Sequence, residues 1–247
     1  MHALKQTAAL AAGLALAVAA SAALAAPAYI SAAVHDANRP AADTARDQFR
    51  KPVDMMAFAK VQPGERILEL IPGGGYFERI FSVAIGPDGH LYEAVPVFGG
   101  SPDASPKSNG IAHDPHYTNI TEFAMTPPNI SGDAPYDLIW TSQNYHDLHL
   151  TRLHLDIAAF DKLMFDSLRH GGSVVIVDHA ARPGSGTTDT DALHRIDEDL
   201  AKKEMKDAGF VLVAESNVLR NPKDDHTVRV FSMHDHTDQF VLRWRKP

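Results

Sequence analysis

Two groups of residues in this sequence could bind and transform a small molecule. The first is Pro72-Gly73-Gly74-Gly75-Tyr76, where three glycines separate an apolar run of strand length from apolar residues at helical spacing. Glycine has no Cβ, so a ligand can approach the backbone closely, and the N–H groups that open a helix offer donors and a partial positive charge. The stretch predicts a cradle for a polar or anionic small molecule. The alternative is a glycine-rich loop that holds no ligand.

The second group consists of histidines and aspartates that follow two other predicted strands. His146 follows the strand predicted at 136–141, and Asp178 and His179 end the β-branched run that begins at Ser173. Open α/β sheets place their ligands at the carboxyl ends of parallel strands, so these side chains are expected at one edge. A histidine beside a carboxylate is suited to moving a proton. We predict His146, Asp178 and His179 as catalytic residues; capping or surface roles are the alternative.

The histidines also raise the question of a metal site. Imidazole and carboxylate groups at close spacing are suitable metal ligands. His146 and His149 are three residues apart rather than four, and no glutamate lies between them, so they lack the zinc-protease pattern. A later group, His226, His234 and His236, is equally typical of a polar loop. We predict no metal site.

The elements that carry these residues alternate between strands and helices. Strand 66–71, helix 76–85 and strand 90–95 form a βαβ unit, which predicts parallel strands joined by a right-handed crossover. The remaining strands are predicted at 117–122, 136–141, 173–178, 210–216 and 238–245, and the remaining helices at 52–59, 151–168 and 194–209. The last two strands are expected to form an antiparallel pair at one edge of the sheet.

Composition narrows the class of protein. The 247 residues have ordinary globular composition, which predicts one large domain. A formal net charge of −8 argues against a nucleic-acid partner, because phosphate binding needs a basic face. Cysteine is absent, which excludes thiol catalysis, thiolate zinc sites and disulfides. The sequence does not specify an oligomeric state, and the partner it favours is a small-molecule substrate.

The first 25 residues have the pattern of a secretory signal peptide. Lys5 precedes a short Ala/Leu/Val run that ends in Ala23-Leu24-Ala25, and this run is too short and alanine-rich for a membrane span. We therefore expect an exported, periplasmic protein that is not inserted in the membrane after cleavage; an uncleaved anchor is the alternative. Residues 26–51 are then an N-terminal extension and 52–247 the α/β domain. Arg50 and Lys51 could be solvated or could cover an anionic ligand.

From about Arg50 to Pro247 the sequence resembles the class I S-adenosylmethionine-dependent methyltransferases, and most closely a bacterial group of exported predicted methyltransferases. The resemblance rests on four motifs, at Glu69–Gly75, Tyr136–Trp140, Leu168–Ser173 and Ala208–Phe210. It implies a Rossmann-like α/β fold with a seven-stranded, mostly parallel sheet in the order 3-2-1-4-5-7-6. Strand seven is antiparallel in that fold, and helices cover both faces.

The resemblance also implies a cofactor, S-adenosylmethionine. The residues that it assigns to the cofactor are Glu69, Gly73, Gly74, Gly75, Tyr76, Glu93 and Asn144. Ile71 stands where the family pattern has its first glycine, and Glu93 lies two residues before the position of the acid that binds the ribose. The activity implied is methyl transfer to a small molecule.

Two other functions stay open. The chain could be an exported binding or sensor protein that keeps the fold without the chemistry, or a lyase or hydrolase that uses the histidines, because a fold does not fix a function. The export signal and the displaced strand-two acid favour these alternatives. The Glu69 loop and the polar cluster after the fourth strand favour the methyltransferase.

Overall fold

A computed structural model describes residues 26–97, 108–126, 130 and 135–247. The predicted signal peptide, 1–25, lies outside the described residues, as do residues 98–107, 127–129 and 131–134. Within the described ranges, no helix is long and apolar enough to cross a bilayer.

Seven strands form one sheet in the order β3-β2-β1-β4-β5-β7-β6. The strands are β1 (Arg66–Leu70), β2 (His90–Pro96), β3 (Ile120–Met125), β4 (Tyr136–Ser142), β5 (Leu168–His179), β6 (Val211–Ser216) and β7 (Gln239–Arg245). All neighbouring pairs are parallel except those that involve β7, which is antiparallel to β5 and β6. The predicted fold class, strand order and antiparallel seventh strand are confirmed.

Helices cover both faces of the sheet, and each face has its own apolar core. The helices are α1 (Ala28–Val34), α2 (Ala41–Thr44), α3 (Asp47–Arg50), α4 (Pro52–Ala59), α5 (Tyr76–Ile85), α6 (Tyr145–Leu148), α7 (Ile157–Ser167), α8 (Thr190–Leu193), α9 (Glu198–Asp207) and α10 (Val230–Met233). Ile30, Met55 and Phe81 pack with Trp140 on one face. On the other face, α7 and α9 contribute to the core that surrounds Tyr136.

Two predicted helices begin later than expected, and in each case an aspartate cap explains the start. The helix predicted from residue 151 begins at Ile157, because Asp156 accepts a hydrogen bond from the N–H of Ala159. The helix predicted from residue 194 begins at Glu198, after the cap at Asp197. Of the residues before this start, Arg195 and Ile196 are buried, and Arg195 pairs with Asp224.

The strand predictions differ from the structure mainly at their ends. β3 lies three residues after its predicted position, and β5 begins five residues earlier than predicted. The final two strands are antiparallel, as predicted, but β7 lies inside the sheet between β5 and β6. Only β6 of this pair is at the edge.

The segment 26–51 is fastened to the glycine-loop helix by a charged anchor. The carboxylate of Asp47 accepts two hydrogen bonds from the buried guanidinium of Arg39, at 2.7 and 2.9 Å, and one from the Tyr76 hydroxyl at 2.5 Å. Arg39 also donates to the carbonyl of Val34. A buried charge needs partners of this kind, so the anchor fixes α3 over the start of α5.

We expect Asp47→Ala to lower the free energy of unfolding by about 3 kcal/mol, because Arg39 would stay buried without its counter-charge. Urea denaturation at pH 7 measures the effect. Asp166→Ala is the matched control, since Asp166 pairs with Lys162 at a position where both side chains are more than half exposed. Equal stability of the two variants would contradict the anchor.

A pair of acids lies on two neighbouring strands of the sheet. Glu69 on β1 and Glu93 on β2 are register partners, and both side chains are buried. Among the described residues, no other side chain or backbone N–H donates to either oxygen of Glu93 or to Oε2 of Glu69. The hydrogen bond available to the pair is the one between the two carboxyls, which requires a proton on one of them. Burial raises the pKa of both carboxyls well above the ordinary value, and neighbouring acids raise it further. The pair is therefore expected to keep a proton at neutral pH.

This pair makes stability depend on pH. Above pH about 4.3, the ordinary pKa of a glutamate, the carboxyl is ionised in the unfolded chain. A carboxyl whose pKa is raised in the folded state still holds its proton at these pH values, so the folded state binds more protons than the unfolded state. The free energy of unfolding should therefore fall as pH rises from 5 to 8, by up to about 1.4 kcal/mol per pH unit for one proton. Glu93→Gln should reduce that slope, so that the variant is more stable than wild type at pH 8.

Thermal unfolding from pH 5 to 8 measures the slope. Asp54→Asn, which removes the same charge at an exposed position on α4, is the control and should leave the slope unchanged. Parallel curves for wild type and Glu93→Gln would show that Glu93 is ionised in the folded protein.

Candidate functional site

A cavity of about 320 Å³ lies at the carboxyl ends of β1, β4 and β5. This size is at the lower end of the range for small-molecule sites. The side chains and backbone that line it are Asp43, Arg46, Arg50, Glu69, Ile71, Pro72, Gly73, Gly74, Tyr76, Phe77, Ser142, Gln143, Asn144, His146, Asp147, His179, His194, Val230 and Phe231. The cavity is therefore at the edge where the sequence placed the site.

Two residues in the wall have left-handed backbones although neither is glycine. Ile71, just after β1, has φ 58°, and Gln143, just after β4, has φ 66°. Such a conformation is strained for a β-branched residue. The Asn144 amide donates to the carbonyls of Ile71 (3.0 Å) and Ser142 (2.7 Å), which ties the two chain reversals together. A glycine at position 71 would adopt this backbone without strain.

The glycine loop has an open part and a packed part. A Cβ at Gly73 or Gly74 would meet no atom within 4 Å, so the backbone there faces open space. Gly75, by contrast, lies against Ile111 and Asn109, where a Cβ would clash. In the described part of the chain, no side chain caps α5, so its first turn keeps donors for a ligand. The cradle consists of Gly73, Gly74 and the start of α5.

His146, in the cavity wall, and Asp178, behind it, form a buried pair. The Nδ1–H of His146 donates to Oδ1 of Asp178 at 2.7 Å, and the backbone N–H of His146 donates to Oδ2, also at 2.7 Å. Burial opposes a charge on the imidazole, but Asp178 outweighs this effect and raises the pKa of His146. Although burial opposes it, His146 lowers the pKa of Asp178, which therefore stays ionised. The tautomer leaves the Nε2 lone pair of His146 free to accept a proton.

Two further side chains connect this pair to the cavity. Nδ1 of His194 lies 3.3 Å from Nε2 of His146 and 3.3 Å from Oδ1 of Asp147. The side chains of Asp147 and His194 are 22% and 15% exposed, against 3% for His146. We call Asp147, His194, His146 and Asp178 the relay. Asp147 and His194, its outer members, face the cavity. His146 and Asp178, its inner members, hold the buried charge.

The outer relay atoms are also close enough to share a metal ion. Ligand atoms of His146, Asp147 and His194 lie within 4.8 Å of one another. However, a guanidinium only donates, so the contact between Arg229 and Nε2 of His194 (3.3 Å) places the His194 proton on Nδ1. Nδ1 is the atom that would have to bind the ion. The hydrogen bonds thus describe a chain of proton donors and acceptors among these side chains.

His179 borders the cavity beside the relay but differs from it electrostatically. Its Nδ1 lies 2.7 Å from the Thr237 hydroxyl. Burial lowers the pKa of His179 to about 3, despite the neighbouring Asp178, and nearby positive charges contribute. A neutral imidazole of this kind is suited to binding a ligand through hydrogen bonds and is a weak base.

The structure brings together most of the predicted site residues. Glu69, Gly73, Gly74, Tyr76, Asn144, His146 and His179 line the cavity, and Asp178 lies directly behind His146. Gly75 and Glu93 do not line it. His149, considered above with His146 as a metal ligand, does not line the cavity and contacts Glu204 instead.

Sequence reasoning missed Asp147, His194 and Arg46 as members of the site. Asp147 is adjacent to a predicted residue, and that adjacency was the available signal. His194 was assigned to a helix, whereas it has a left-handed backbone and ends α8. No local pattern brings residue 194 to the ends of β4 and β5, because that contact depends on the tertiary path of the chain.

Comparison with known proteins supports the fold. No protein-family profile matches the chain, and no curated protein sequence matches it. Among solved structures it is similar to an S-adenosylmethionine-dependent methyltransferase from Aquifex aeolicus, with 13% identity, 82% of this chain and 93% of that chain covered, and a TM-score of 0.59. It is also similar to CrArsM, an arsenic(III) S-adenosylmethionine methyltransferase from Chlamydomonas reinhardtii (13% identity, 88% and 72% covered, TM-score 0.54).

A third similar structure is that of the [4+2]-cyclase SpnF, with 13% identity, 84% of this chain and 81% of that chain covered, and a TM-score of 0.55. At such identities the likeness concerns the fold alone. The chain has the Rossmann-like fold of the S-adenosylmethionine-dependent methyltransferases, with a seven-stranded sheet in the order 3-2-1-4-5-7-6 and an antiparallel seventh strand.

Proposed function

We propose that the chain is an S-adenosylmethionine-dependent methyltransferase that acts on a small molecule. The observation that carries the proposal is that one cavity is bordered by an open glycine cradle, a carboxyl with an unpartnered oxygen and a histidine–aspartate relay. The first two features suit the amino-acid end of the cofactor, and the relay suits a nucleophile that must lose a proton. Export through the signal peptide predicted at 1–25 is part of the same proposal.

The residues present fit the amino-acid end of S-adenosylmethionine. Oε2 of Glu69 is a buried acceptor that has no partner among the described residues, and an ammonium group supplies the missing donor. Gly73 and Gly74 leave room for a ligand against the backbone. The ribose end has less support, because Val95 and Pro96 end β2 and Glu93 stays in the core.

The relay would supply the acid–base chemistry. When bound, S-adenosylmethionine provides an electrophilic methyl group whose sulfur leaves as a neutral thioether. The relay would take the proton of the acceptor: a hydroxyl, amine or thiol would lose it through Asp147 or His194 to Nε2 of His146. Asp178 stabilises the imidazolium that results. The walls of the cavity align the two reactants, which is the larger part of such catalysis.

The cofactor proposal predicts that Glu69→Gln weakens binding of both S-adenosylmethionine and S-adenosylhomocysteine at least tenfold. The variant keeps the size of the side chain but replaces one acceptor oxygen with a donor group that faces the ammonium. Isothermal titration calorimetry on purified wild type and variant measures the effect.

Glu215→Gln is the control, because Glu215 is an exposed residue of β6 that does not line the cavity and pairs with Lys202 of α9. It should bind both ligands as wild type does. If wild type binds neither ligand, the methyltransferase proposal fails, and the binding-protein and lyase or hydrolase alternatives replace it.

The relay proposal predicts that Asp178→Asn slows methyl transfer by about 10²- to 10⁴-fold, the usual contribution of general acid–base catalysis. Binding of S-adenosylhomocysteine should change less than twofold, because Asp178 lies behind the cavity wall. Release of S-adenosylhomocysteine with a panel of small phenols, alcohols, amines and thiols as acceptors measures the rate. A variant as active as wild type on an accepted compound would exclude a role for the relay.

A further inference from the structure

Arg50 differs from the other arginines near the cavity in having no acidic partner. Its Nη2 donates to the hydroxyl of Ser142 at 3.1 Å and to the amide oxygen of Gln143 at 3.5 Å, and both groups are neutral. Its guanidinium lies over the rings of Tyr76 (4.4 Å) and Phe77 (4.8 Å). Among the described residues, no carboxylate is within ion-pair distance of it.

The neighbouring arginines all have such partners. Arg46, which also lines the cavity, makes two hydrogen bonds to Asp235 at 2.8 and 2.5 Å. Arg39 pairs with Asp47, and Arg79 with Asp43 at 2.8 Å. These three pairs are neutral overall, so the positive charge of Arg50 is left without compensation in the cavity wall.

Nearby acids do not supply the missing charge. Asp235 and Glu69 act on Arg50 from beyond ion-pair distance. Asp235 is already paired with Arg46, and Glu69 is the carboxyl that faces the ammonium group in the function proposed above. Burial lowers the pKa of Arg50 to about 10, and the like charge of Arg46 contributes to this shift. The guanidinium is still charged at neutral pH, and a charge removed from water in this way is costly unless it is paired.

We propose that Arg50 binds a carboxylate group of a ligand in this cavity. A single uncompensated guanidinium matches a single negative charge, and its planar fork fits the two oxygens of a carboxylate. A phosphate, with a charge near −2, would require a second free cation, and Arg46 is already neutralised by Asp235. Tyr76 and Phe77 hold the guanidinium in place from one side, so that the fork is ordered before the ligand binds.

The carboxylate has two possible sources, and both belong to the reaction already proposed. It is either the amino-acid carboxylate of S-adenosylmethionine or a carboxylate of the methyl acceptor. This inference rests on the proposed function for the identity of the ligand, but the presence of an anion site at Arg50 is testable without it.

The test compares S-adenosylmethionine with decarboxylated S-adenosylmethionine, which differ only in the carboxylate. Calorimetric titrations are made on wild type, Arg50→Met, Arg50→Lys and the control Arg169→Met. Methionine keeps contact with the two rings but removes the charge, and lysine keeps the charge but loses the fork. Arg169 is an exposed arginine beside Asp137 at the opposite edge of the sheet, so the control loses the same charge elsewhere.

If the cofactor supplies the carboxylate, wild type and Arg169→Met should bind S-adenosylmethionine about 10- to 100-fold more tightly than the decarboxylated form. Arg50→Met should lose that preference, and Arg50→Lys should keep part of it. Decarboxylated S-adenosylmethionine should bind all four proteins with similar affinity.

If the acceptor supplies the carboxylate, the two cofactor forms bind wild type equally, and small carboxylates are the diagnostic probes. Acetate, succinate and benzoate at constant ionic strength, with chloride as the reference anion, should then raise the Tm of cofactor-loaded wild type but not of Arg50→Met. Equal behaviour of wild type and Arg50→Met in both experiments would overturn the proposal.

Failure of the proposed function gives a different result. In that case neither cofactor form binds wild type, and the carboxylate series is repeated without cofactor. A rise in Tm that Arg50→Met abolishes would support the anion site on a protein that is not a methyltransferase. A series without such a rise would overturn both proposals.

Discussion

The site depends on one fully buried charge, the carboxylate of Asp178. It ends β5 and accepts hydrogen bonds from the ring and backbone of His146 and from the backbone N–H of His179. These bonds offset the cost of burying the charge, and they also fix the tautomer of His146 and the position of α6. The same carboxylate thus accepts the hydrogen bonds of these three N–H groups and determines which nitrogen of His146 faces Asp147 and His194.

A second constraint is the balance of positive charge above the sheet. The segment that precedes the sheet brings Arg39, Arg46 and Arg50 toward the glycine loop, and ion pairs neutralise the first two. A cavity that receives a cationic sulfonium cannot also keep an unpaired guanidinium without cost. A ligand carboxylate bound to Arg50 would neutralise the guanidinium. The sulfonium would then be the one positive charge of this pair that has no counter-charge.

The sequence predicted the topology well, because each long element carries its own signal. Unbroken apolar strands, helical spacing after Gly75 and the stop at Gly209 depend on neighbours along the chain. Element ends were less accurate where side-chain caps decide them, as at Asp156 and Asp197. The cavity residues that sequence identified lie within a few positions of strand ends, where the rule for parallel sheets applies directly.

What the sequence could not predict depends on contacts between distant segments. His194 joins His146 across 48 positions, and Arg50 reaches Ser142 across 92. Nor does any local pattern show that Arg46 has an acid partner and Arg50 has none, because Asp235 is 189 positions from Arg46. Charge balance is a property of the assembled cavity.

The backbone strain at Ile71 involves both the local sequence and contacts between distant segments. A β-branched residue at φ 58° is costly, and glycine at this position would avoid the cost. The conformation is held by hydrogen bonds from both sides, since the Ile71 N–H donates to Ala94 and its carbonyl accepts from Asn144. Ile71 adds an apolar side chain to the cavity wall, next to the loop that is expected to hold the cofactor. A glycine at position 71 would leave the space occupied by the isoleucine side chain to the ligand. The strained residue therefore narrows the cavity directly before the glycine cradle.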